Sequence, residues 1–119
     1  MKPIGIIIWT EKITNLLEFY EIFFDSKVHK MKSKSAYFIY NGFRIYISEH
    51  SEIKGNSKDP NRMIINFETK DIEKEFKRLI DHGVKFIRKP EIEKWGGKVA
   101  TFEDPDKNRI NLIEQRDKA

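Results

Sequence analysis

Read from its N-terminus, the chain opens with a β-branched apolar run, Ile4-Gly5-Ile6-Ile7-Ile8-Trp9, with the composition of a buried strand. The spacing then changes. Ile13, Leu16, Leu17, Tyr20, Phe23 and Phe24 recur at three- and four-residue intervals, the stripe of an amphipathic helix that Asp25-Ser26 closes. Three strands are predicted next, from Val28 to Met31, Ala36 to Tyr40 and Phe43 to Ser48. Asn41-Gly42 between the last two is a tight-hairpin signal, because both residues tolerate positive φ. A polar stretch from Ser51 to Asn61, rich in Gly, Asn, Ser, Asp and Pro, has the composition of an exposed loop.

The same order of elements then repeats. Met63 to Glu68 reads as a strand, and Asp71 is placed to cap a helix whose stripe is Ile72, Phe76, Leu79 and Ile80. Gly83 supplies the stop. Val84 to Ile87, Lys98 to Phe102 and Arg109 to Ile113 read as three further strands, with Asp104-Pro105-Asp106-Lys107-Asn108 as the last turn. Gly5 to Thr10 aligns without gaps on Ile64 to Thr69, with Ile13 over Ile72 and Tyr20 over Leu79. The repeated order, more than matched identities, identifies an internal duplication of β-α-β-β-β. Helices that do not alternate with every strand make the fold class α+β. The expected organisation is a single domain over 1–119, with modules at about 3–50 and 62–115.

Composition narrows the chemistry. The chain has 119 residues, 39% of them hydrophobic and 13% aromatic, enough for one core. It has no cysteine, which excludes disulfides, thiolate nucleophiles and Cys-ligated zinc or iron–sulfur sites. The first apolar run is too short for a signal segment or a membrane span, and Glu11 and Lys12 follow it. A cytoplasmic protein without a membrane partner is expected. The net charge of +4 raises the question of nucleic acid, but basic and acidic residues are interleaved, as in Glu73-Lys74-Glu75. Only the short Lys27–Lys34 stretch concentrates one sign, so a solvated surface is expected and no nucleic-acid partner.

One stretch carries a family likeness. Trp95-Gly96-Gly97-Lys98-Val99-Ala100-Thr101-Phe102-Glu103-Asp104-Pro105-Asp106-Lys107-Asn108-Arg109-Ile110 resembles the closing segment of the vicinal-oxygen-chelate superfamily, the glyoxalase, bleomycin-resistance and dioxygenase proteins. There a Trp-Gly precedes a strand ending in Phe-x-Asp-Pro-Asp-Gly-Asn. The first helix through Phe19-Tyr20 and the exit Gly83-Val84-Lys85-Phe86 are similar as well, so the likeness runs from about Ile4 to Glu114. It implies two tandem βαβββ modules forming a curled, mixed eight-stranded sheet, and a homodimer. Lys107 stands where the turn usually has Gly, which costs about 1 kcal/mol if that position needs positive φ.

Metal-dependent relatives hold a divalent ion with four side chains, usually His, Glu or Gln, facing into a cup. The resemblance places those positions at Gly5, Tyr46, Ile64 and Asn111. Gly and Ile have no ligating group, and Tyr and Asn replace imidazole and carboxylate poorly. His29, His50 and His82 fall outside the set and read as surface histidines. No metal and no other cofactor is expected.

If those four positions face the cup, strand alternation adds Ile7, Trp9, Arg44, Ser48, Asn66, Glu68, Arg109 and Ile113 to the same face. The opposite face is wholly apolar: Ile6, Ile8, Ile45, Ile47, Ile65, Phe67, Ile110 and Leu112. The mixed face has two readings. Its polar groups are hydrated, or Arg44, Glu68 and Arg109 pair among themselves; or it lines a ligand cavity. In the second reading the ligand-binding candidates are Trp9, Arg44, Tyr46, Asn66, Glu68, Trp95, Arg109 and Asn111. Trp95 serves equally as a cap beside Gly96-Gly97, and alternation does not decide between Thr101 and Phe102 as the inward residue. The leading expectation is a metal-independent small-molecule binder, similar to the antibiotic-sequestering branch. A neutral or anionic aromatic ligand suits the positive charge better than cationic bleomycin. The alternatives are a metal-independent lyase or isomerase with Glu68 as base, a metal enzyme with a non-standard site, and an interaction module with an empty cup.

Overall fold

A computed structural model describes residues 1–115, which form two compact units dividing after Asn56. Each unit is one module with its own sheet. The first comprises β1 (Gly5–Thr10), a 3-10 turn (Ile13–Asn15), α1 (Leu17–Phe24), β2 (Lys30–Lys32), β3 (Ser35–Tyr40) and β4 (Phe43–Glu49). The second comprises β5 (Ile64–Glu68), α2 (Ile72–Asp81), β6 (Lys85–Ile92), β7 (Lys98–Glu103) and β8 (Arg109–Glu114). The eight strands are hydrogen-bonded as two four-stranded mixed sheets of identical topology, β1-β4-β3-β2 and β5-β8-β7-β6. In each, the first strand runs parallel to the last, and Gly5 opposite Arg44 corresponds to Ile64 opposite Arg109.

The duplication extends to how each helix begins. Glu49 at the end of β4 accepts the Ile13 N–H at 3.0 Å, and Glu114 at the end of β8 accepts the Ile72 N–H at 3.0 Å. A first-turn amide lacks an intrahelical partner, so a strand-borne carboxylate takes the place of a local cap. Asp71 adds its expected bond, accepting the Lys74 N–H at 3.1 Å. Glu114→Ala is expected to cost about 1 kcal/mol in urea unfolding, the usual value of a lost cap. The first helix has no side-chain cap of its own, and its β-branched start, Ile13-Thr14, winds as a 3-10 turn before Leu17 begins α1. Asp25 ends α1 in the left-handed region at φ 50°.

Both cores follow the predicted stripes except at Ile80, which lies past the buried Leu79 and is exposed. Leu16, Tyr20, Ala36, Phe38, Ile45 and Ile47 are buried in the first module, where the ring of Phe24 meets Phe38 at 4.9 Å. In the second, Phe76 of α2 meets Phe86 at 4.3 Å, and Phe86 meets Phe102 of β7 at 4.3 Å. The sheet faces bearing Phe38 and Phe102 are therefore the helix-covered ones.

Two strands differ from expectation. The strand expected to end at Ile87 continues to Ile92, through Pro90. Its register against β7 shifts twice, and as an edge strand it has no partner on its other side to miss the proline N–H. The strand expected from Val28 to Met31 spans Lys30–Lys32 instead. Asn41 and Gly42 both take positive φ, 49° and 82°, as a tight hairpin requires.

The last turn is organised by Asp104, whose Oδ1 accepts the N–H groups of Asp106 and Asn108, each at 2.9 Å. Lys107 sits at φ 66°, so the strain anticipated at this position is present. Lys107→Gly is expected to raise stability by about 1 kcal/mol, read as a shift of the denaturant midpoint. No helix among the described residues is long and apolar enough to cross a membrane.

Candidate functional site

In the first module, alternation buries Ile8, Ile45 and Ile47 and leaves Ile7, Trp9, Arg44 and Tyr46 on the helix-free face. Cross-strand register puts Ile7, Tyr46, Tyr37 and Lys30 in one row across all four strands. Arg44 organises the middle of this face. Its Nη1 donates to the Tyr46 hydroxyl at 3.0 Å, and its guanidinium carbon lies 5.0 Å from the centre of the Tyr37 ring. The two phenol rings are 5.1 Å apart, and the His29 ring lies 5.3 Å from Tyr37. The hydrogen bond to Tyr46, followed by the two phenols' electrostatic attraction, holds the guanidinium above its ordinary pKa. It forms no ion pair among the described residues. Beside it opens a cavity of about 750 Å³, whose walls include Ile4, Gly5, Ile7, Gly42, Arg44 and Tyr46. Trp9 is 43% exposed, with its ring edge-on to His50 at 5.0 Å.

The second module carries amides where the first has aromatics. Thr101 Oγ1 donates to Asn111 Oδ1 at 2.7 Å, and Asn111 Nδ2 donates to Asn66 Oδ1 at 3.0 Å. Thr101 therefore shares the helix-free face with Asn111, while Phe102 is in the core. Arg109 Nη1 donates to Asn61 Oδ1 at 2.7 Å, and its buried Nε has no hydrogen-bond partner. Glu68 is exposed. Within its own module Arg44 turns to Tyr46, and within the other Arg109 turns to Asn61.

Trp95, in the loop between β6 and β7, lies against Gly97. A Cβ on Gly97 would collide with the indole and stand 2.8 Å from the Glu114 carbonyl oxygen. Of the predicted residues, the structure brings Arg44 and Tyr46 together on one face and Asn66 and Asn111 on the other. Tyr37 and His29 were not anticipated. Tyr37 was legible, since alternation from Ser35 sets Ser35, Tyr37 and Ile39 against the buried Ala36 and Phe38.

The four residues that the resemblance places at the family's metal positions do not fit a divalent ion. At Gly5, an added Cβ would collide with the Arg44 carbonyl oxygen. Tyr46 accepts a hydrogen bond from a cation, and both ends of the Asn111 amide are occupied. Ile64 is apolar, and a metal beside Arg44 would meet like charge. Among the described residues, no three His, Asp or Glu side chains are grouped to hold an ion.

No curated protein matches the chain. Solved structures match its fold. A glyoxalase-related enzyme from Fulvimarina pelagi is 15% identical, with a TM-score of 0.80 over 97% of this chain and 88% of that one. A glyoxalase/bleomycin resistance protein from Catenulispora acidiphila is 18% identical, with a TM-score of 0.76 over 98% and 100%. A glyoxalase I mutant from Zea mays is 16% identical, with a TM-score of 0.82 over 98% of this chain and 46% of its own. A family model, Glyoxalase/Bleomycin resistance protein/Dioxygenase superfamily, matches residues 5–112. With the duplicated βαβββ order and the Asp-Pro-Asp turn already in view, the chain belongs to the glyoxalase/bleomycin resistance protein/dioxygenase superfamily.

Proposed function

We propose that this protein binds a small aromatic ligand, neutral or anionic, without a metal ion, as a sequestering protein rather than an enzyme. The observation that carries this reading is the open cavity beside Arg44, apolar along β1 and cationic along β4. The guanidinium is already oriented by Tyr46 and Tyr37, which reduces the ordering cost of meeting an oxyanion. Ile7 and Tyr46 offer the apolar and aromatic surface against which a planar ligand packs. Trp9 adds aromatic surface on the same face of the first module, and the second module, by itself, offers Asn66, Asn111, Arg109 and Trp95 as candidate contacts of its own.

Binding is favoured over turnover because Glu68, the candidate base, is exposed and no hydrogen bond orients it among the described residues. Homodimerisation is part of the proposal and is read by sedimentation. The test is titration of tryptophan and tyrosine fluorescence with 1-naphthoate in the presence of chelator. Saturable quenching is expected, with Arg44→Ala weakening affinity about tenfold, as loss of a charge-assisted hydrogen bond does. Quenching that is unsaturable, or indifferent to Arg44, rejects the site.

A further inference from the structure

The helix-free face of the first module has an unusual charge balance. Its outward positions are Gly5, Ile7 and Trp9 on β1; Arg44, Tyr46 and Ser48 on β4; Ser35, Tyr37 and Ile39 on β3; and Lys30 and Lys32 on β2. None is acidic. The positive charges are also ordered, because β1 contributes only apolar groups while β4 carries Arg44 and edge strand β2 carries two lysines. Neither Lys30 nor Lys32 forms an ion pair among the described residues, and all of β2 is exposed.

Tyr37 lies between the two cationic groups. Arg44 covers its ring at 5.0 Å, and Lys30 is its direct cross-strand partner, which places both on the same face about 5 Å apart at the backbone. An anion drawn to Arg44 is therefore within reach of the flexible Lys30 ammonium. From Arg44 the cavity leads the other way, over Gly5 and Ile7. A carboxylate carries one charge and leaves one of the two cations uncompensated. A phosphomonoester above its second pKa of about 6 carries two, with three acceptor oxygens.

Resting on the binding reading above, we propose that the ligand class is an aromatic phosphomonoester. Its ring lies over Gly5 and Ile7, and its phosphoryl group is held between the Arg44 guanidinium and the Lys30 ammonium. Arg44 supplies the planar, oriented contact; Lys30 supplies a mobile point charge that discriminates a dianion from a monoanion.

The test is isothermal titration of the full-length protein at pH 8 and low salt with 1-naphthyl phosphate, 1-naphthoate, 1-naphthol and inorganic phosphate. Naphthyl phosphate is expected to bind about fivefold to tenfold more tightly than naphthoate, the effect of one additional partly exposed ionic contact. In Lys30→Gln that preference should fall to within about twofold, the phosphate losing more affinity than the carboxylate. Arg44→Gln should weaken both ligands. Lys30 is exposed on an edge strand, and an unchanged circular dichroism spectrum confirms that its variant is folded. Equal affinity for the phosphate and the carboxylate, with Arg44 dependence retained, overturns this inference and leaves the binding reading standing. Inorganic phosphate binding as tightly as naphthyl phosphate also overturns it, as an adventitious ion only. If no naphthyl compound binds, the binding reading fails first and this inference with it.

Discussion

Phe102→Ala is expected to destabilise the protein by about 3–5 kcal/mol in urea unfolding, the range for emptying a fully buried aromatic site. Phe102 has no exposed surface, stands opposite Ile110 on β8, and packs on Phe86 at 4.3 Å. Phe86 in turn packs on Phe76 of α2, so the three rings link the helix to the sheet. Removing the innermost ring leaves a void that rigid strands on either side cannot close. Its neighbour provides the control. Thr101 lies on the other face, and Thr101→Val removes only its hydroxyl bond to Asn111, at a cost of about 1 kcal/mol. Equal costs for the two substitutions would contradict the assigned faces.

Gly5→His is the second large effect, and it bears on whether this position can admit a ligating side chain. Restoring an imidazole at this position would, on residue type alone, begin to rebuild the family's ligand set. The backbone forbids it. The new Cβ would collide with the Arg44 carbonyl oxygen and lie 3.1 Å from the Arg44 carbonyl carbon and 3.2 Å from its Cβ. Two of these three atoms are backbone, so β1 must move against β4 for any side chain to enter. A cost of about 1–3 kcal/mol is expected, as for overpacking elsewhere, and no rise in melting temperature with added zinc. A variant as stable as the parent and further stabilised by zinc would show that the backbone admits a ligating side chain at this position. Glycine here reflects a close approach of two parallel strands, not conformational freedom.

Much of the fold was legible in the sequence because two periodicities are well separated. The 3.6-residue stripes of Leu16–Phe24 and Ile72–Leu79 and the alternation in β1, β4, β5 and β8 are observed, while Ile80, expected in the second stripe, is exposed. The hairpin at Asn41-Gly42 and the cap at Asp71 follow from side-chain chemistry that acts within a few residues. What local reading missed depends on neighbours far along the chain. Pro90 reads as a breaker, and only the position of β6 at a sheet edge makes it admissible inside a strand. Glu49 and Glu114 look like ordinary strand-end charges until the fold brings them to the Ile13 and Ile72 amides.

The candidate site divides in the same way. Which residues share a face is a matter of alternation: the family resemblance places Tyr46 and Asn111, and alternation adds Arg44 and Asn66 to their face. How those residues pair is not, because hydrogen-bond partners depend on register between strands. Register gives Tyr37 to Arg44, whose hydrogen-bond acceptor Tyr46 is two residues on along the same strand, and links Thr101, Asn111 and Asn66 into one chain of bonds. It also turns Arg109 toward Asn61, in the loop before β5, and not toward Glu68. The resulting contrast, a cationic aromatic face in one module and an amide-rich face in the other, is invisible in a net charge of +4 spread over the whole chain.

The most direct test of the account is native mass spectrometry of the protein purified without chelator, with metal analysis of the same sample. Binding without a metal predicts an organic adduct that survives chelator treatment and is diminished in Arg44→Ala, with no divalent ion at stoichiometric level. A stoichiometric metal, whose removal by chelator releases the adduct, would contradict it.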